Sequence, residues 1–233
     1  MTQVVHQLPS HNWAVIAAQL IQSRIEDTLQ REGECSIMLT GGRSAERLYR
    51  EWGGMTRLWE AKGLHFYFGD ERCVPVDQIQ SNYGMVMRTL FSKCLAAHNE
   101  SIYRMEADAE DVNEAARRYD EILPASIDVM LLGLGEDGHI ASLFPQSPAL
   151  HEQQRRVMAV DCPKAPNMRL TITPPVITHA NSIFVLASGW KKAKVFQDAQ
   201  RDLGDFMSLP ARLVLHANWL LDSELPDTPA HVR

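Results

Sequence analysis

The sequence predicts an α/β protein that has a mainly parallel open sheet with helices on both faces, forming a single domain over residues 1–233. Strand-like segments alternate with helical ones along most of the chain. The strand-like segments, such as "CSIML" and "DVMLL", are apolar at nearly every position, which is typical of strands covered on both faces. No stretch is rich enough in Pro, Gly or Ser to mark a linker between two domains.

Composition narrows the class of protein. The chain is 45% hydrophobic and 22% charged, with a formal net charge of −6, which argues against a nucleic-acid-binding protein because that needs a basic face. No apolar run approaches the ~20 residues of a membrane-spanning helix, and the N-terminus lacks the basic and apolar regions of a secretory signal. The 4 cysteines are scattered without a CxxC pair, which favours reduced thiols in the cytoplasm over a disulfide frame or a zinc site.

The first half of the chain predicts alternating elements. Apolar residues at helical spacing predict a helix over 12–31, and "CSIMLTGGRSAERLYREW" is typical of a strand, a glycine turn and a second helix. "LHFYFGDER" predicts a strand that ends in charged residues. A helix over 83–95 and a short strand at "SIYRM" follow.

The second half continues the alternation. A helix over 112–123 leads into the strand "IDVMLLGLG", and "PVITHA" separates two further strands, "MRLTITP" and "NSIFVLASG". A helix over 191–202 and a last short strand, "NWLLD", complete the prediction. In open parallel sheets ligands bind beyond the carboxyl ends of the strands, so four strand ends are candidate sites: "TGGRS", "GDER", "GEDGH" and "TITP".

The turn "LTGGRS" has the composition of an anion site. Gly41 and Gly42 let backbone N–H groups approach an anion at the start of a helix, for which Ser44 is the predicted N-cap. The turn lacks the Walker lysine and the full dinucleotide fingerprint. A plain tight turn is the alternative, and Arg43 favours the anion site.

Charged side chains follow the second strand. Asp70, Glu71 and Arg72 are either a solvated charge cluster or part of a site, and their place at a strand end favours the site.

A glycine-rich loop carries the strongest chemical signal, "GLGEDGH". Asp137 lies two residues before His139, so its carboxylate can hydrogen-bond one imidazole nitrogen and leave the other free as a base. Arg169 and Lys192 are isolated cations, which are normally solvated. If they converge on the glycine turn, they complete a phosphate site.

Together these segments resemble the 6-phosphogluconolactonase family, within the glucosamine-6-phosphate isomerase/6-phosphogluconolactonase superfamily. The matching blocks occur in the family's order from roughly Leu39 to Leu221 and are "LTGGRSAERLY", "FYFGDERCVP" with "SNYG", "DVMLLGLGEDGHIASLFP", "RLTITPPVI" and "SGWKKAKVF".

The resemblance implies a cytoplasmic hydrolase without cofactor or metal that converts 6-phospho-D-glucono-1,5-lactone to 6-phosphogluconate in the pentose phosphate pathway. It implies that His139 is the general base, that Asp137 orients it, and that Asp70 and Arg72 line the lactone site. The residues implied to bind the substrate and its phosphate are Gly41, Gly42, Arg43, Ser44, Asn82, Arg169 and Lys192.

Two positions depart from the family pattern. Arg43 stands where the family usually has Ser, and Ile140 stands where it usually has Thr. "GHIA" is similar to the glucosamine-6-phosphate deaminase branch, which is the nearest alternative. That branch carries a Glu where this chain has Phe144, and an apolar ring cannot do acid–base work. A non-catalytic sugar-phosphate-binding protein is the alternative from another class.

Overall fold

The computed structural model describes residues 3–55, 60–92, 101–201 and 204–222. Its main sheet has six strands in the order β1-β9-β8-β5-β2-β3, and every pair is parallel. The strands are β1 Val4–Leu8, β2 Cys35–Leu39, β3 Leu64–Phe68, β5 Val129–Gly133, β8 Ile183–Ala187 and β9 Asn218–Asp222. Every residue of β2 and β8 is buried, so both faces of the sheet are covered, as predicted.

A second, smaller sheet was not predicted. It contains β4 Asp70–Arg72, β7 Met168–Ile172 and β6 Val157–Asp161, all antiparallel. The predicted strand "LHFYFGDER" is therefore two strands separated at Gly69, and "MRLTITP" pairs with its charged end instead of joining the parallel sheet. Pairing between segments so far apart in the chain leaves no local sequence pattern.

The helices follow the predicted alternation. They are α1 Trp13–Glu32, α2 Arg43–Trp52, α3 Asn82–Thr89, α4 Val112–Ile122, α5 Pro174–Thr178 and α6 Trp190–Arg201, with short 3₁₀ helices at Pro148–His151 and Pro210–Val214. Trp13 and Trp52 are fully buried, and their indole N–H groups donate to Leu220 O at 2.9 Å and Gln22 Oε1 at 3.0 Å. No helix among the described residues is long and apolar enough to cross a membrane.

Several predicted boundaries were wrong. "SIYRM" is not a strand, since only Ile102 forms an isolated bridge, to Phe66. The helix predicted over 83–95 ends at Thr89. Residues 93–95 of that prediction, and residue 202 of the helix predicted over 191–202, lie outside the described residues. The prediction missed β1, β6 and α5, each of which is only 5 residues long.

Strand order places a crevice at the centre of the main sheet. From β2 the chain moves outward to β3 on one side, whereas from β5 it moves to β8 on the other, so β2 and β5 flank the switch point. The two following loops are joined there, because Gly133 N donates to Thr40 Oγ1 at 3.1 Å. The predicted glycine turn and the "GEDGH" loop thus leave the sheet side by side.

Candidate active site

A cleft of about 320 Å³ opens at this point of the sheet. Most of the residues predicted for the site line it: Gly41, Gly42, Arg43, Asp70, Arg72, Asn82, His139, Arg169 and Lys192. Ser44 and Asp137 do not line it but hydrogen-bond to residues that do. Within the described residues, no three His, Cys, Asp or Glu side chains lie close enough to hold a metal ion together.

The glycine turn needs both of its glycines. Gly42 has a φ of 93°, a conformation that favours glycine, and it is the N-cap of α2. A Cβ at Gly41 would collide with the side-chain amide of Asn82, which is itself buried. The start of α2 therefore lies at the cleft, and neither glycine places a side chain between the backbone and the cleft.

The prediction that Ser44 is the N-cap of this helix was wrong, because Gly42 takes that position. Ser44 is the second residue of α2, and its Oγ accepts a hydrogen bond of 2.7 Å from Lys192 Nζ. Burial, together with the nearby charge of Arg43, lowers the pKa of Lys192 to about 8. The first turn of α6 thus brings a cation to the first turn of α2.

Arg43, the departure from the family pattern, points largely into water. Its side chain is 92% exposed, and Nη2 lies 3.6 Å from Glu136 Oε1. Lys191 Nζ lies 2.9 Å from the other oxygen of Glu136. The hydrogen bond from Lys191 and the charges of Lys191 and Arg43 lower the pKa of Glu136.

His139 and Asp137 form a short pair. His139 Nδ1 lies 2.5 Å from Asp137 Oδ1, and the imidazole stacks on Phe144 with ring centroids 4.2 Å apart. A Cβ at Gly135 would collide with both the imidazole and the carboxylate, so glycine is required under the pair. Partial burial alone would raise the pKa of Asp137, but hydrogen bonds from His139 and Lys164 outweigh it and hold that pKa well below its ordinary value.

Asp70 is a buried carboxylate at the floor of the cleft. Its Oδ1 accepts from Asn82 Nδ2 at 3.1 Å, and its Oδ2 accepts from Ser142 Oγ at 2.7 Å. These bonds tie the strand β4 to α3 and to the loop that carries His139.

Glu71, next in the chain, has a structural position. Its carboxylate accepts from the backbone N–H groups of Arg72 at 2.8 Å, Asn82 at 2.7 Å and Tyr83 at 2.7 Å. Burial raises its pKa, and these three hydrogen bonds oppose that rise. Glu71 therefore fixes the start of α3, and with it the place of Asn82.

Arg72 and Arg169 are opposite each other in the β4–β7 pairing. Arg72 Nη1 donates to Gln80 O at 2.6 Å. Arg169 is buried, and its guanidinium donates to the carbonyl oxygens of Pro166 and Lys164, both at 3.0 Å. Burial lowers its pKa, the carboxylate of Asp70 opposes that effect, and the charge of Arg72 adds to it.

The sequence raised the expectation that Arg169 and Lys192 converge on the glycine turn. Among the contacts of the described residues, Lys192 lies at the turn, whereas Arg169 contacts other residues. Arg169 lies with its guanidinium 5.4 Å from the centre of the Phe144 ring, against which His139 also stacks. Its Nη1 lies 3.4 Å from Ser142 Oγ. Both cations line the cleft, but Arg169 contacts the residues around His139.

Sequence reasoning missed three residues of the site. Lys164 Nζ lies 2.7 Å from Asp137 Oδ2, Glu136 lies between the cations Arg43 and Lys191, and Ser142 binds Asp70. The position of Ser142 inside "DGHIASLFP" was a usable signal. Lys164 gave none, because a lysine in a loop is normally solvated.

Known proteins match the chain over nearly its whole length. The family model for glucosamine-6-phosphate isomerases/6-phosphogluconolactonase matches residues 10–221. A 6-phosphogluconolactonase of Mycobacterium tuberculosis is 33% identical over 241 residues, covering 96% of this chain and 97% of that protein. The 6-phosphogluconolactonase structure from Trypanosoma brucei has a TM-score of 0.81 at 27% identity, covering 96% of this chain and 97% of that one.

A monomeric glucosamine-6-phosphate deaminase also has a TM-score of 0.81, but at 19% identity, covering 96% of this chain and 98% of that one. That likeness shows the fold alone. With residues 10–221 matched by the family model and a relative at 33% identity, the chain belongs to the glucosamine-6-phosphate isomerase/6-phosphogluconolactonase family.

Proposed function

We propose that the protein hydrolyses 6-phospho-D-glucono-1,5-lactone to 6-phosphogluconate, acting in the cytoplasm as part of the pentose phosphate pathway. The observation that carries the proposal is the 2.5 Å contact between His139 and Asp137 in a cleft that also contains the glycine turn and Lys192. Relatives named 6-phosphogluconolactonase at 31–33% identity over most of the chain support the same activity.

His139 acts as the general base in this proposal. Asp137 accepts from Nδ1, which leaves Nε2 to take a proton from water. The resulting hydroxide attacks the lactone carbonyl and forms a tetrahedral intermediate. The bond from the former carbonyl carbon to the ring oxygen then breaks, and the imidazolium returns its proton to that oxygen.

Cations in the same cleft suit the charge that develops on the carbonyl oxygen. Arg72 and Arg169 both line the cleft, and Asp70 fixes the loop that carries His139 through Ser142. Positive groups already in place stabilise an oxyanion more than water does, because they need not reorganise during the reaction. We assign Asp70 and Arg72 to the lactone end of the cleft.

The phosphate belongs at the other end, where three features of one anion site occur together. The glycine turn exposes the backbone at the start of α2, Ser44 Oγ lies 2.7 Å from Lys192 Nζ, and Lys192 supplies a charge. Arg43, which follows the glycine turn, and Asn82, whose amide lies against Gly41, also line the cleft. The contacts of Arg169 favour the lactone end over the phosphate.

This chain lacks an acid–base group at one position where the deaminase pattern has one. The deaminase pattern has a Glu where Phe144 stands, and the Phe144 ring stacks on His139. A ring in van der Waals contact with the imidazole cannot transfer a proton to open a sugar. This contact favours lactone hydrolysis.

A parallel assay tests the proposal. The purified protein is given freshly made 6-phosphogluconolactone in one arm and glucosamine 6-phosphate in the other. We expect fast lactone hydrolysis that EDTA does not affect and no ammonia release. Ammonia release at a comparable rate would favour the deaminase, and no turnover in either arm would favour a binding protein.

A further inference from the structure

Asp137 divides its two carboxylate oxygens between two partners. Oδ1 lies 2.5 Å from His139 Nδ1, and Oδ2 lies 2.7 Å from Lys164 Nζ. A free carboxylate on a short side chain can rotate and exchange its oxygens. With each oxygen bound to a different group, that rotation breaks both contacts.

Lys164 comes from a different sheet from the pair it contacts. His139 and Asp137 follow β5 of the main sheet, whereas Lys164 lies in the loop between β6 and β7 of the small sheet. Arg169 fixes this loop, since Nη2 donates to the carbonyl oxygen of Lys164 itself at 3.0 Å. Cys162 N also donates to Asn167 O at 2.8 Å, which closes the loop at its base.

The Lys164 ammonium also contacts the ring beneath His139. Nζ lies 5.5 Å from the centre of the Phe144 ring, within the range of cation–π attraction. The ammonium is thus placed by two partners, a carboxylate and an aromatic face.

We propose that Lys164 positions the base: by holding Oδ2 of Asp137, it keeps Oδ1 on Nδ1 of His139 and offsets the carboxylate charge that the imidazole experiences. The inference rests on the proposed role of His139 as the base. A carboxylate alone would favour the imidazolium, which cannot take a proton from water. A cation beside that carboxylate favours the neutral imidazole that the reaction needs.

The other charged groups near the imidazole each have a partner besides the Lys164 side chain. Asp137 and Glu136 belong to the same loop as His139, and Glu136 faces Arg43 and Lys191. Arg169 from β7 lies over the ring of Phe144, and Asp70 from β4 accepts a hydrogen bond from Ser142. Removing the Lys164 charge therefore changes one identified contribution.

The test compares Lys164→Met with Lys164→Arg and with the control Lys194→Met. Lys194 has the same kind of contact, 2.7 Å to Asp198, but outside the cleft. Each variant is assayed for kcat and KM on the phosphorylated lactone and on unphosphorylated gluconolactone, across the acidic limb of the pH profile. The His139 imidazole is followed by ¹⁵N NMR over the same pH range.

In Lys164→Met we expect kcat to fall roughly three- to tenfold, less than on losing the base itself, with KM nearly unchanged. The acidic limb and the imidazole titration should both lie at higher pH than in the wild type, because a nearby positive charge has been removed. Lys164→Arg should keep the wild-type limb, and Lys194→Met should match the wild type throughout.

An unmoved limb in Lys164→Met would overturn the inference, and so would a rise in KM confined to the phosphorylated lactone, which would make Lys164 a substrate-binding cation. An equal loss of kcat in Lys164→Met and Lys164→Arg, with an unmoved imidazole titration, would overturn it as well. Lys164 would then only hold its loop in place. The base role of His139 fails if His139→Ala keeps nearly full activity, and the proposed function fails separately, if the wild-type protein does not hydrolyse the phosphorylated lactone.

Discussion

Lys192 Nζ donates a 2.7 Å hydrogen bond to Ser44 Oγ across 148 residues of sequence. The contact joins the first turns of α6 and α2 at the glycine turn. Burial of a cation beside the start of a helix is costly unless an anion compensates it. We therefore expect the phosphate of the substrate to bind here.

Lys192→Met should lower kcat/KM for the phosphorylated lactone at least tenfold, since loss of a partly desolvated cation that pairs with an anion costs roughly 2–5 kcal/mol. The slow turnover of unphosphorylated gluconolactone should barely change, because it has no phosphate to lose. The measurement is the pair of kcat/KM ratios, with an unchanged far-UV CD spectrum as the control. Equal losses on both lactones would contradict the phosphate assignment.

Arg169→Met is expected to behave differently, because its guanidinium binds Pro166 and Lys164 and lies over Phe144 near His139. Its loss should lower kcat on both lactones and lower Tm, since the loop loses two partly buried hydrogen bonds. The same two assays and a thermal melt measure this. A loss confined to the phosphorylated lactone would restore Arg169 to the phosphate site.

The pH dependence of product binding should report the charge of Lys192, whose pKa is lowered to about 8. Burial favours the neutral amine, so the ammonium is present below this pH and disappears as the pH rises through it. Binding of 6-phosphogluconate should weaken above about pH 8, measured by calorimetry to avoid lactone hydrolysis. In Lys192→Arg the guanidinium stays charged, so the weakening should vanish; its persistence there would assign the titration to another group.

His139→Ala should lower kcat by roughly 10²–10⁴-fold with little change in substrate affinity, as expected for a group that acts in the transition state. Asp137→Asn should cost less, because it removes orientation and charge but leaves the imidazole. Steady-state kinetics on the phosphorylated lactone measure both. A folded His139→Ala protein with nearly full activity would show that the loop has a structural role and no part in catalysis.

Gly135→Ala should lower kcat at least as much as Asp137→Asn, because its Cβ would occupy the space of the imidazole and the carboxylate. Gly69→Ala is the matched control. A Cβ there would make only ordinary contacts, the nearest at 3.6 Å from Met38 Sδ, so activity and Tm should change little. Equal effects of the two variants would show that the collision at Gly135 is relieved by movement of the loop.

Arg43→Ser, which restores the usual family residue, should change KM for the phosphorylated lactone by less than about threefold, as exposed ion pairs contribute little. Arg43 is 92% exposed and its contact with Glu136 is 3.6 Å. The comparison is made at low and at high salt, where an exposed charge is screened. A tenfold rise in KM would instead place Arg43 on the phosphate.

The sequence by itself determined the parallel sheet and the parts of the site that are local. Buried strands such as β2 are apolar on both faces, and this pattern belongs to the strand alone. Gly41 and Gly42 mark a strand-to-helix turn, because a Cβ at Gly41 would collide with Asn82 and Gly42 has a positive φ. Asp137 and His139 are two residues apart, so their contact needs only a tight loop.

Only the tertiary structure decided which distant side chains share the cleft. Lys164 and Lys192 look like ordinary solvated lysines in the sequence, yet one binds Asp137 and the other binds Ser44. The pairing of β4 with β7, which sets Arg72 opposite Arg169, has no local pattern either. The physical reason is that glycine turns and apolar runs reflect the conformation and burial of one segment, whereas the partner of a cation is set by how segments far apart in the chain pack together.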